Sequence, residues 1–106
     1  MRYVTVVQRR ATGDIRRAVA WIARHISPVS AARWQARILR AVESLETKPD
    51  RCPEADEEGN LGINLRCLLS GRRPHVYRIL FTVDGLEVNV HRILHAFRDH
   101  IDSEDL

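Results

Sequence analysis

The sequence predicts an α+β fold: a two-helix antiparallel hairpin packed on one face of a mostly antiparallel, twisted sheet of about four strands. The element order is β-α-α-β-β-β. Three observations lead there. A short β-branched run opens the chain, two stretches of helical periodicity meet at Ser27-Pro28, and the C-terminal third alternates like a ribbon closed at Asp84-Gly85. Helices of this kind bury one stripe each, so two of them cover one side of such a sheet.

Tyr3-Val4-Thr5-Val6-Val7 reads as the first strand. Gly13 follows as a breaker, and Asp14 then sits where the positive end of a helix dipole favours a carboxylate. Ile15, Val19, Ile22 and Ile26 recur at helical spacing, with Arg16, Arg17 and Arg24 turned away from them. Ser27 suits a helix cap and Pro28 a first helical turn. A second helix then runs to about Glu46, with Ala31, Trp34, Ile38, Ala41 or Val42, and Leu45 on its apolar side. Arg33, Arg37 and Arg40 form a basic stripe on another side, either a solvated face or an edge for a partner. Lys48-Pro49 ends the helix, and residues 49–62 form a loop rich in Pro, acid and Gly.

Leu65-Arg66-Cys67-Leu68-Leu69 reads as a strand, and Gly71-Arg72-Arg73-Pro74 turns the chain into the hairpin. A two-residue Asp84-Gly85 loop sets Val83 opposite Leu86. Phe81 then faces Val88, Ile79 faces Val90 and Tyr77 faces Arg92, the first two of these pairs on the core side. The other side pairs Thr82 with Glu87, Leu80 with Asn89, Arg78 with His91 and Val76 with Ile93, and the helices leave it uncovered. A guanidinium beside an imidazole disfavours the imidazolium, so Arg78 lowers the His91 pKa in this register. Arg66 joins them if Ser70 lies opposite Pro74. A basic sheet face of this kind suits an anionic or nucleic-acid-associated partner, the plain alternative being surface decoration.

Composition narrows the class. The 106 residues are 44% hydrophobic, enough for one globular domain spanning 1–106. The apolar runs are far too short for a membrane span, and the N-terminus lacks a signal core, which points to the cytoplasm. Cys52 and Cys67 make neither a disulfide framework nor a metal motif, and read as reduced thiols. The net charge of +3 is segregated: +7 over residues 1–51, −4 over 52–58, +4 over 59–98 and −4 over 99–106. Sixteen of the seventeen basic residues are Arg, which favours bidentate contacts to carboxylate or phosphate.

The ordered set of local patterns resembles the RelE/ParE superfamily of type II toxin–antitoxin toxins. It comprises Ala11-x-x-Asp14-Ile15, Trp34-x-x-x-Ile38, Pro49-x-x-Cys52-Pro53 and Leu65-Arg66. It continues through Tyr77-Arg78-Ile79-Leu80-Phe81 to Val90-x-x-Ile93-Leu94-His95-Ala96-x-Arg98-Asp99. The resemblance spans almost the whole chain. It implies a toxin neutralised by a cognate antitoxin that wraps a segment over helices and sheet, with operator DNA bound only through the antitoxin. It implies no cofactor, metal, membrane or small-molecule ligand.

The superfamily divides by target. RelE-like members cleave mRNA in the ribosomal A site, and a ribonuclease reading would use Arg66, Arg78, His91 and Arg98 as catalytic residues. ParE-like members inhibit DNA gyrase, and the target surface would then comprise Arg72, Arg73, Arg78, His91, His95 and Arg98. The ParE-like reading is favoured, with the RelE-like ribonuclease as the alternative and a non-toxic interaction module of the same fold as the second alternative. Glu57-Glu58-Gly59-Asn60 lacks the basic residues ribonuclease members often carry, no Tyr follows the terminal His/Arg segment, and the acidic ending repels an RNA backbone. In either case Arg33, Arg37 and Arg40 are expected to rim an antitoxin groove.

Overall fold

The computed structural model describes residues 2–55 and 64–97. Strand β1 (Val4–Val7) leads into helix α1 (Arg9–His25), and helix α2 (Pro28–Glu43) follows. Two single-turn 3-10 segments, Ser44–Glu46 and Pro49–Arg51, lead towards β2 (Arg66–Arg72), β3 (His75–Asp84) and β4 (Glu87–His95). The four strands form one sheet in the order β1-β4-β3-β2, with β1 parallel to β4 and the other pairs antiparallel. The expected α+β architecture is therefore present.

Helix α1 begins earlier than Gly13. The Thr12 N–H donates to the Gln8 carbonyl at 3.0 Å, so the helix is already running when Gly13 is reached. A glycine in a helix interior costs roughly 1 kcal/mol. Burial of Ala11 one turn before Ile15 extends the apolar stripe past it and offsets that cost. Asp14 consequently lies inside the helix and away from its dipole end. At the other end Ile26 leaves the stripe: the helix stops at His25, and Ile26 is 58% exposed. The Ser27 reading holds, since the Ser30 N–H donates to Ser27 Oγ at 3.0 Å and Pro28 occupies the first turn of α2.

The hairpin turns two residues' worth of register away from the expected place. Asp84 pairs with Glu87, leaving Gly85-Leu86 as the loop, and Gly85 supplies a φ of 60°. A two-residue shift keeps every side chain on its own face, so Phe81, Val88 and Val90 remain in the core. A β-bulge then changes the face count. Phe81 pairs with Val90 but Leu80 pairs with Arg92, so His91 is the extra residue. Beyond it Ile79 meets Ile93, Arg78 meets Leu94, and Tyr77 meets His95. The expected Arg78–His91 pair is not formed.

The β2–β3 turn also departs from expectation. Arg66 lies opposite Phe81 and not Arg78; Ser70 lies opposite Tyr77, with Arg73 and Pro74 at the tip. Gly71 is essential there. Its φ is 100°, and a Cβ at that position would fall 2.3 Å from the His75 carbonyl oxygen.

The main core lies between the helices and the sheet, and Trp34 meets Tyr77 edge-on at 5.0 Å between ring centres. The other sheet face is not left open. Ala55, Leu65, Cys67, Leu80 and Leu94 form a second apolar cluster. It arises because residues 53–55 return along β2: Ala55 N–H donates to the Leu65 carbonyl at 2.8 Å and Cys67 N–H to the Pro53 carbonyl at 3.0 Å. Among the described residues no helix is long and apolar enough to cross a membrane.

Candidate functional site: an apolar groove with a basic rim

The bulge in β4 is locked to α1 by a carboxylate. Asp14 is buried, and its two oxygens accept from Arg92 Nε at 2.8 Å and Arg92 Nη2 at 2.9 Å. They also accept from the Ile93 N–H at 2.9 Å and from Arg17 Nη2 at 2.6 Å. Opposite charges this deeply placed need such complete pairing. The sequence reading missed this contact because the unbulged hairpin pairs Arg92 with Tyr77 and gives no sign of an acidic partner on α1.

The bulge residue itself is half-buried. His91 Nε2 lies 2.8 Å from Thr82 Oγ1, and burial pushes the imidazole pKa down from its ordinary 6.5. The direction matches the expectation, whereas the cause is desolvation and not a neighbouring Arg78. Arg66 is committed elsewhere: its Nη1 donates to the Cys52 carbonyl at 2.6 Å and the Asp50 carbonyl at 3.3 Å, tying the loop before β2 to that strand. The nearby Cys52 thiol is buried, and desolvation raises its pKa. Arg78 is half-buried in β3 between Leu69 and Leu94 in register. Arg98 lies outside the described residues, as does Glu57-Glu58-Gly59-Asn60. The structure thus pairs no two of Arg66, Arg78 and His91 across strands. Among the described residues no cluster of three or more His, Cys, Asp or Glu has the proximity to hold a metal ion.

The clearest recess lies at the opposite end of the hairpin from the Gly85-Leu86 loop, where the strands β3 and β4 run under the helices. It encloses about 450 Å³. Trp21, Ile22 and Ile26 line it from α1 and its end, Ser30, Trp34 and Arg37 from α2, and Pro74, His75, Tyr77, His95 and Phe97 from the sheet. Its wall is a run of ring contacts. Tyr77 meets His95 at 5.2 Å and His95 meets Phe97 at 6.1 Å, while the Phe97 N–H donates to His95 Nδ1 at 3.2 Å. His95 is therefore a buried wall residue of the groove. The Trp34 Nε1–H is buried with no partner among the described residues. Trp21, Ile26, Val29 and Phe97 expose apolar surface on or beside the groove, and Trp21 stacks on His25 at 4.5 Å.

A second recess adjoins it through shared residues. Arg37, Gly71, Arg72, Arg73 and His75 surround about 570 Å³, and Arg37 and His75 belong to both. Arg73 holds its guanidinium 5.2 Å from the Phe97 ring centre. Of the expected stripe, Arg37 lines both of these recesses, and Arg33 and Arg40 are exposed on α2 outside them. The composite surface suits a polypeptide segment that combines apolar anchors with carboxylates. Signals for Trp21 and Phe97 were present in the sequence as aromatic residues lying off the apolar stripe and after the last strand.

Comparison with known proteins agrees with this architecture. A family model described as the ParE toxin of the type II toxin–antitoxin system, parDE, matches residues 6–100. A solved structure of a chromosomal ParDE toxin–antitoxin system from P. aeruginosa superposes with a TM-score of 0.73. It is 21% identical in sequence, and the match covers 88% of this chain and 95% of that one. No curated protein matches the chain.

Proposed function

Because the chain belongs to the ParE toxin family of type II toxin–antitoxin systems, we propose that it inhibits DNA gyrase and is neutralised by a cognate antitoxin. The antitoxin lays an acidic, apolar-anchored segment into the groove between the helix hairpin and the β3–β4 end. The observation that supports this docking reading is the continuity of an apolar recess with an arginine-lined one through Arg37 and His75. Burying apolar side chains there contributes roughly 25 cal/mol per Å². The neighbouring arginines give the on-rate and register that complementary charge supplies.

Arg72 and Arg73 at the exposed β2–β3 tip serve as gyrase contacts in this reading. They also rim the groove, so a bound antitoxin covers them and neutralises by occlusion. Operator DNA is reached only through the antitoxin. The ribonuclease alternative, acting on ribosome-bound mRNA, draws less support. Its general base and phosphate-binding groups need to converge, and Arg66 is engaged by loop carbonyls while the bulge sets Arg78 opposite Leu94.

The test is a supercoiling assay with purified gyrase. Rising toxin is expected to block supercoiling or trap cleaved DNA, and added antitoxin to restore turnover. Undiminished turnover at saturating toxin refutes the gyrase assignment, and cleavage of mRNA on programmed ribosomes would replace it with the ribonuclease reading.

A further inference from the structure

We propose that the two adjoining recesses form a site for a single strand of DNA, with phosphates among Arg37, Arg72 and Arg73 and a base against Phe97. Through it the toxin grips a strand that gyrase holds. The inference rests on the gyrase reading for the source of the strand, and on the recesses themselves for its chemistry.

The polar recess gathers cations from two elements. Arg37 comes from α2, and Arg72, Arg73 and His75 come from the β2–β3 tip, around about 570 Å³. Arg72 lies opposite His75 in register, directly after Gly71 at its φ of 100°. A Cβ on residue 71 would lie 2.3 Å from the His75 carbonyl oxygen, so glycine permits the close approach from which Arg72 and His75 project.

These cations are uncommitted. Elsewhere Arg17 and Arg92 share Asp14, Arg2 meets Glu46, and Arg51 and Arg66 donate to backbone carbonyls. The guanidiniums of Arg37 and Arg72 form no hydrogen bond or ion pair among the described residues, and Arg73 stacks over the Phe97 ring at 5.2 Å. No acidic residue among the described ones lines either recess. Like charges gathered in this way repel one another, and a bound anion removes that cost.

A nucleic-acid strand matches the arrangement better than a lone carboxylate. The two oxygens of a carboxylate match one guanidinium fork, whereas successive phosphates present oxygens to several. The ring of Phe97, 55% exposed, stands beside the cations, and the neighbouring recess of about 450 Å³ is walled by Tyr77, His95 and Phe97. Cations along a backbone with rings for its bases are the means by which proteins hold single strands. Arg37 and His75 belong to both recesses, so a phosphate at one continues to a base at the other. Antitoxin in the groove excludes the strand.

The test measures fluorescence anisotropy of a labelled DNA oligonucleotide with the full chain over a series of NaCl concentrations. The natural chain is expected to bind, and Arg37→Gln/Arg72→Gln/Arg73→Gln to bind about tenfold or more weakly, with a salt slope shallower by about 2. Phe97→Ala should weaken binding about tenfold with the slope kept. Arg16→Gln/Arg24→Gln/Arg33→Gln removes as much charge from exposed helix positions outside both recesses, and should weaken binding about twofold. Absence of binding, or equal losses in the two triple variants, overturns the proposal. Poly-L-glutamate that competes better than unlabelled DNA of equal length overturns the phosphate assignment, and RNA that binds about tenfold more tightly than DNA overturns DNA as the source. Supercoiling assays separate the two readings. A recess variant that has lost DNA but inhibits gyrase normally overturns the grip, whereas a natural chain that binds DNA through the recesses and spares gyrase refutes the gyrase assignment alone.

Discussion

Arg92 on β4 grips Asp14 on α1 through two hydrogen bonds, from Nε at 2.8 Å and Nη2 at 2.9 Å, and the same carboxylate takes the Ile93 N–H. One helical side chain thereby fixes the strand at the bulge, and the bulge decides which residues reach the groove. Without the extra residue His91, Ile93 and His95 would exchange faces with Arg92 and Leu94.

Removing Asp14 strips a largely buried guanidinium and a backbone N–H of the carboxylate they share. Asp14→Ala is expected to cost about 3–5 kcal/mol of unfolding free energy in urea melts. Arg92→Ala should cost a similar amount, with the double variant well short of the sum. A single-variant loss below about 0.5 kcal/mol would remove the clamp from its central place.

Gly71 and Gly85, both at positive φ, separate strain from collision. Gly71→Ala adds a Cβ within 2.3 Å of a backbone oxygen, whereas nothing lies within 4 Å of a Cβ at Gly85. Gly85→Ala is expected to cost about 1–2 kcal/mol from backbone strain alone. Gly71→Ala should cost more and move the Arg72–Arg73 tip, visible as shifted amide resonances there. Equal effects at the two sites contradict the close approach.

Burial lowers the His91 pKa, so the native state takes up a proton less readily than the unfolded chain, whose His titrates near 6.5. Above that pH both states hold a neutral ring and the group has no effect. As pH falls through 6.5 the unfolded state gains protons first, and stability drops until the lower native pKa is passed. Unfolding free energies measured from pH 8 to 5 should fall more steeply for the natural chain than for His91→Asn. Parallel curves would contradict the buried, neutral imidazole.

Charge reversal on α2 is expected to be uneven. Arg37→Glu should weaken antitoxin binding by an order of magnitude or more and reduce its salt dependence, because Arg37 joins the two recesses. Arg33→Glu and Arg40→Glu, exposed on α2, should change it by a few-fold at most. Titration calorimetry at two salt concentrations checks the ranking, and equal losses at all three positions refute it.

Much of the architecture was legible because it follows from local rules. Ser27-Pro28 announces a helix cap in almost any context, and the Trp34, Ile38, Leu45 spacing fixes a buried face. The alternation through Tyr77, Ile79 and Phe81 likewise marks a strand. What failed was decided by tertiary contact. Gly13 reads as a breaker until Ala11 is seen to be buried against the core. The bulge at His91 has no local signature; it exists because Ile93 enters the core while Arg92 meets Asp14, a residue 78 positions away. The second face looked free because the return of residues 53–55 along β2 is a long-range event. For the site, the basic residues were visible as types, but which of them share a surface depended on register. Arg37, Arg72 and Arg73 share the basic rim of the groove, Arg66 went to loop carbonyls, and His95 became wall.

The measurement that bears most directly on the groove pairs gyrase supercoiling with antitoxin rescue in the variant Ile26→Glu. Ile26 is 58% exposed, so the change leaves the core intact while placing a carboxylate in the apolar recess. The variant is expected to inhibit gyrase as the natural chain does, and to need at least tenfold more antitoxin before supercoiling returns. Rescue at the ordinary antitoxin concentration would contradict the groove as the neutralising surface.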